Sequence, residues 1–307
     1  MNYNKLNSVL KEFNEITGIS IDTDTIPADH LETAIHQLQC ICNAYKEKYD
    51  KTYFLQSIIK NQLSAADICR QASTFHISID SPLALYLIET KRTLDDTVLT
   101  VLKYLYADQI GTYLVPISDT RIILLHPYKD TLPYQEQISE ITHTLVDTLN
   151  TEALVSVKVA CGPPSEQLTE LHESYEQALT TLNIGKRFHA EQSIFYYDQL
   201  GIDRLVYHLP DSACQDFLNE VWKNNIPVSL DPELSSMINC FLHNNLNIAE
   251  TARQMHMHRN TLIYRIEKIE QQTSLDIRQF EDAMTLKLAL MLMNHTSTTE
   301  RNTNNHE

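Results

Sequence analysis

The sequence predicts a multidomain α+β protein: a central block of alternating strands and helices, followed by an all-α helix-turn-helix domain. Three observations carry this expectation. Between residues 80 and 161, short apolar runs alternate with amphipathic stretches in the order βαββαβ. Residues 247–272, NIAETARQMHMHRNTLIYRIEKIEQQ, hold two helical periods separated by a short break. A length of 307 residues leaves room for two or three domains.

Composition narrows the function classes. A hydrophobic content of 43% with 21% charged residues is ordinary for a folded chain and argues against extensive disorder. The formal net charge is −16, yet six Lys/Arg balance six Asp/Glu over residues 235–294. Within residues 247–268 four basic residues face two acidic ones. Such a distribution orients the C-terminal part toward a polyanion while weakening non-specific attraction elsewhere, which excludes a general nucleic-acid coater. Cysteines at 40, 42, 69, 161, 214 and 240 have no zinc-site spacing, so buried free thiols are expected and no metal. His256 and His258 lack further ligands at metal spacing. With five glycines, and neither GxGxxG nor GxxxxGK[ST], no cofactor is expected. The N-terminus has no basic segment followed by an apolar core, and no apolar run is long enough for a membrane span. A cytoplasmic location is the expectation.

Taken in order, residues 1–79 read as an N-terminal helical segment. Residues 5–16 form a short amphipathic helix stopped near Gly18, and TIPAD at 25–29 precedes a longer helical pattern. In that pattern Leu31, Ile35, Leu38, Cys42, Tyr45 and Tyr49 recur at heptad-like steps. Both a seam between two chains and packing against the next helix of the same chain fit this spacing. A further helix is expected over 65–75.

Residues 80–200 form the central domain. Strands are expected over 83–89 and 155–161, with a hairpin of 112–117 and 121–126 turning through Ser118, Asp119 and Thr120. Asp119 reads as the turn-capping residue. Helices are expected over 94–107, 135–149 and 167–188, and the Gly162-Pro163-Pro164 step ends a strand. The order βαββαβ is the ferredoxin-like plan: one antiparallel sheet with helices on one face.

Residues 201–232 read as a helical linker, with Ile226-Pro227 and Asp231-Pro232 as punctuation. Residues 233–294 form the helix-turn-helix domain, and 295–307 a disordered tail rich in Thr and Asn. A helix over 233–242 offers Leu234, Ile238, Phe241 and Leu242 as a floor, and 275–294 supplies a long final helix.

Within 247–272, Ile248, Ala252 and Met255 share one face, as do Leu262, Ile266 and Ile269, and Met257 plugs the angle between the helices. The solvent side of the second helix carries Arg259, Asn260, Thr261, Tyr264, Arg265 and Lys268, with His258 at its start. Side chains of these kinds reach base edges and phosphates from an element that fits the major groove. Arg259 matches the guanine edge, and Arg265 and Lys268 suit phosphates. Asn260 serves adenine or helps start the helix; both remain open. An ordinary helical hairpin with a wet polar face is the alternative.

The residues HRNTL at 258–262, YRI at 264–266 and KI at 268–269, with KLAL at 287–290, resemble the C-terminal DNA-binding module of PucR/CdaR-type bacterial transcriptional regulators. This chain departs at Thr273-Ser274, where the family commonly has Gly; its turn also lacks the Gly of many other helix-turn-helix proteins, which this family tolerates. ELHESYEQAL at 170–179, IGKR at 184–187 and YYDQLG at 196–201 resemble the GGDEF-like (nucleotidyl-cyclase-like) domain of the same regulators. Cyclases of that fold carry two glycines and an acidic pair on the central hairpin. ISDTR at 117–121 lacks them, so no catalytic residue is expected. Many members bear a large N-terminal effector domain, where residues 1–50 stand here. The resemblance implies a transcriptional regulator bound to double-stranded DNA; a nucleotide-responsive signalling protein or enzyme acting through the central domain, and a protein-interaction scaffold, are the alternatives. A homodimer is expected because one such module makes few base contacts. A small-molecule effector is left open.

Overall fold

The computed structural model describes residues 2–21, 31–106, 109–129, 133–223, 227 and 231–303. The prolyl stretch at 25–29 and the Ile226 half of the linker punctuation lie outside the described residues. The chain divides into two compact units, Met1–Leu182 with Gln192–Gln199 and Asn183–Glu191 with Leu200–Glu307.

In the first unit, α1 (Asn2–Thr17) and α2 (Leu31–Tyr49) pack together. Leu6, Val9 and Phe13 of α1 meet Leu31, Ile35, Leu38 and Cys42 of α2 in one buried cluster. The heptad-like seam is thus spent within the chain, on the preceding helix, while Tyr45 stays exposed. A contact between chains through that seam would have to displace α1.

Next come α3 (Lys51–Ile59) and α4 (Ala65–Phe75). Asp50 caps α3 by accepting from the Thr52 and Tyr53 amides at 2.8 and 3.2 Å. The sheet contains β1 (Leu83–Thr90), β2 (Tyr113–Ser118), β3 (Arg121–Pro127), β4 (Val157–Cys161) and β5 (Ile194–Tyr196), in the order β2-β3-β1-β4-β5. The first four pair antiparallel. Its helices are α5 (Asp96–Tyr106), α6 (Tyr134–Glu152) and α7 (Leu171–Phe188).

Two expectations about this sheet are corrected. The sheet is mixed, because β5 joins β4 in parallel, with Val159 opposite Ile194 and Cys161 opposite Tyr196. A parallel partner requires a crossover, and α7 supplies it. The helices also lie on both faces. Leu85, Leu87, Ile123 and Leu125 pack with α3, α4 and α7, while Tyr86, Ile88, Ile122 and Leu124 pack with α5 and α6. The cause is visible in β1, whose LALYLI is apolar at both alternations; a one-sided sheet would be polar at every second place. Residues 51–79 therefore belong with the sheet rather than with a separate N-terminal segment.

The β2–β3 hairpin carries a bulge between Pro116 and Ser118. Its side-chain cap is the Ser118 hydroxyl, which accepts from the Thr120 amide at 3.3 Å. Asp119 contributes its backbone carbonyl, accepting from the Leu94 amide at 2.6 Å, which corrects the capping role expected of its carboxylate.

The second unit contains α8 (Ile202–Tyr207), α9 (Asp211–Val221), α10 (Pro232–His243), α11 (Ile248–Gln254), α12 (Arg259–Thr273) and α13 (Phe280–Thr303). Val206, Cys214, Leu218 and Val221 share one core with Ile238, Phe241, Leu262, Ile266 and Leu286. The stretch expected to be a linker is thus part of this domain, because its apolar stripe is buried there. The last helix starts at Phe280 rather than 275. Ser274 turns the chain out of α12 in the left-handed region, and the Asp282 carboxylate accepts from the Asp276 amide at 2.8 Å. The α13 helix continues to Thr303, through residues expected to be a tail. Once a helix is nucleated, propagation adds a hydrogen bond per residue and needs no apolar period.

Among the described residues no helix is long and apolar enough to cross a membrane. Cys42, Cys161 and Cys214 are buried as expected, but Cys40 and Cys69 are exposed. Cys40 falls on the solvent side of α2, as its two-residue offset from the buried Cys42 requires.

Candidate nucleic-acid interface

The site is built on the junction of α11 and α12. Asn247 starts α11 by accepting from the Ala249 and Glu250 amides at 3.0 and 3.1 Å. The helix is braced on α10, where the Asn244 amide donates to the side-chain oxygens of Thr251 and Gln254 at 3.3 and 3.1 Å. At the end of α11 the Met257 amide reaches the Ala252 carbonyl at 3.0 Å, and the His256 amide reaches that of Arg253 at 3.3 Å. This paired closure demands a left-handed residue, and His256 supplies it at φ +51°. His and Asn tolerate that region better than most side chains, which is how the turn forms without glycine.

His258 then caps α12, its Nδ1 accepting from the Asn260 amide at 3.2 Å. This assigns the helix-start role to His258 and leaves the Asn260 side chain on the exposed face. On the inner face Leu262 and Ile266 are 0% exposed and Ile269 is 2% exposed. They share a core with Ala252, against which Met255 and Met257 pack. Burying each such aliphatic side chain contributes about 1.5–3 kcal/mol.

The outer face presents Arg259, Asn260, Thr261, Tyr264 and Lys268, all exposed. The first turn of α12 has no acidic residue, so no carboxylate there offsets the partial positive charge of the helix start. Thr261, Tyr264 and Lys268 also line a groove of about 340 Å³ beside Leu234 of α10 and its capping residue Asp231.

The cations on α11 and α12 fall into two classes. Arg253 is bound to Glu250 at 2.6 Å. Arg265, expected on the open face, is half-buried, and its guanidinium lies 2.7 Å from the Glu233 carboxylate of α10. Among the described residues Arg259 and Lys268 form no ion pair, so they hold the uncompensated positive charge of this face. Sequence reading missed Glu233, which lies 32 positions away from its partner. No local signal marks that pairing.

Known proteins can now be set beside this geometry. The PucR C-terminal helix-turn-helix domain matches residues 234–292, and the GGDEF-like domain matches residues 60–184. The chain is 23% identical over 278 residues to the proline-responsive transcriptional activator PutR of Bacillus subtilis, covering 85% of this chain and 67% of that one. It is 27% identical over 128 residues to the purine catabolism regulatory protein of Bacillus subtilis, covering 41% of this chain and 24% of that one. It is 29% identical over 128 residues to the carbohydrate diacid regulator of Escherichia coli, covering 39% of this chain and 31% of that one. The chain thus spans two thirds or less of the length of most of these relatives. It joins a GGDEF-like domain to a PucR-type helix-turn-helix domain, an architecture consistent with the PucR/CdaR-type regulators.

Proposed function

We propose that the chain is a cytoplasmic, sequence-specific transcriptional regulator that docks α12 in the major groove of double-stranded DNA. One observation supports this above the others. A capped helix, locked on one side by Leu262, Ile266 and Ile269, carries a row of exposed hydrogen-bonding and cationic side chains on the other. Arg259, at the entering end, is the base-reading residue, and Lys268, further along, meets phosphate. Asn260, Thr261 and Tyr264 contact DNA between them, with His258 at the edge of the contact. The function is promoter occupancy, with no chemical step. The protein acts as a homodimer, reading half-sites about 34 Å apart or a multiple of that spacing. In the first unit, the antiparallel β2-β3-β1-β4 order supports the ferredoxin-like plan. A small-molecule effector belongs to this reading, since one relative is named as proline-responsive.

Genome-wide occupancy, compared between the full chain and a chain ending before residue 231, tests the proposal. Discrete sites with a shared half-site motif, lost on truncation, are expected. Equal occupancy by both chains would remove the assignment.

A further inference from the structure

We propose that a pocket in the first unit, between the start of α6 and the ends of β4 and β5, binds a small organic ammonium ion. The pocket encloses about 180 Å³ and is lined by Tyr134, Ile138, Cys161, Gly162, Tyr197 and Asp198, among others. At roughly 30 Å³ per water, the space suits an occupant of about five to eight heavy atoms.

The wall of this pocket is built rather than incidental. A Cβ on Gly162 would lie 2.6 Å from the Ser174 carbonyl, so the step after β4 is pressed against the α7 backbone. The next two residues are prolines, which stiffen it. The Tyr134 hydroxyl donates to the Gly162 carbonyl at 3.0 Å, closing the step onto α6.

The charge of the site has one sign. Asp198 is the acidic residue of the lining, and its side-chain oxygen accepts from the Gln135 side-chain amide. Burial, with Asp198 adding to it, pushes the Tyr134 hydroxyl and the Cys161 thiol well above their usual ranges, so both stay neutral. Glu136 and Glu140 line the adjoining hollow. The positive end of α6 would by itself favour an anion, but Glu136 in its first turn and Asp198 beside Gln135 offset it. An ammonium head therefore meets a carboxylate and two tyrosine rings, while an apolar body rests on Ile138 and the prolines. This inference rests on the first unit alone and stands apart from the DNA-binding reading.

The test uses the full chain with isobutylammonium chloride and isobutanol, which match in size and differ in charge. Binding is followed by calorimetry, with melting measured at matched ionic strength. The ammonium is expected to bind and raise the melting temperature, and the alcohol to do neither at the same concentration. Asp198→Asn should weaken the ammonium about tenfold or more through loss of the charge-assisted contact. Tyr197→Leu, which keeps apolar bulk and removes a ring face, should weaken it too and serves where Asp198→Asn fails to fold. No binding, equal binding of the alcohol, or full binding in the folded variants would overturn the proposal.

Discussion

Arg265 and Glu233 form an ion pair of 2.7 Å that ties the middle of α12 to the first turn of α10. The Arg265 side chain is 26% exposed, against 59% for Glu233, so the pair sits at the edge of the proposed DNA face. Its guanidinium is committed within the chain.

Glu233→Gln should release Arg265 toward phosphate. Affinity for DNA of any sequence is expected to rise, with the salt slope steepening by about one unit. Thermal stability should change by less than about 1 kcal/mol, as for other partly exposed pairs. Titrations at several salt concentrations decide it; an unchanged slope would place Arg265 away from the backbone.

His256, which closes α11, and Ser274, which closes α12, both have positive φ, at +51° and +64°. Glycine adopts this region without the steric penalty other residues meet. His256→Gly and Ser274→Gly should each stabilise the helix-turn-helix unit by about 0.5–1 kcal/mol, whereas His256→Val should destabilise it by about 1–2 kcal/mol. Chemical denaturation of the three variants checks this ordering. The Ser274 variant also loses the hydroxyl that accepts from Lys223 at 2.5 Å, so its gain should be the smaller.

Leu262 is fully buried beneath the proposed recognition face. Leu262→Ala should cost about 2–5 kcal/mol of stability, and DNA binding should fail because α12 is no longer held. Denaturation and DNA titration of the same sample separate this from a surface effect. A stable variant that still loses DNA would assign Leu262 a contact role instead.

The sequence made parts of this architecture plain and hid others for physical reasons. Leu262, Ile266 and Ile269 were legible because helical spacing alone places them on one face, and all three are buried. The covering of both sheet faces was written in the unbroken apolar run of β1, but a block order read as βαββαβ favoured a one-sided plan. Strand β5 went unseen because three residues, Ile194 to Tyr196, carry too short a period to register. Periodicity also could not choose the partner of α2, since the same seam suits a second chain or α1. At the site, exposure of Arg259 and Lys268 followed from spacing. The capture of Arg265 by Glu233 did not, because it depends on how α10 packs across α12.

Binding titrations of Arg259→Ala and Lys268→Ala, on a mapped operator and a scrambled duplex at several salt concentrations, test the DNA-reading role of α12 most directly. Arg259→Ala should lose about 1–3 kcal/mol on the operator and relax preference at one base position. Lys268→Ala should weaken both duplexes alike and reduce the salt slope by about one unit. Both side chains lie off the buried face, so melting should be unchanged. Operator affinity equal to that of the unaltered protein in both folded variants would contradict the account.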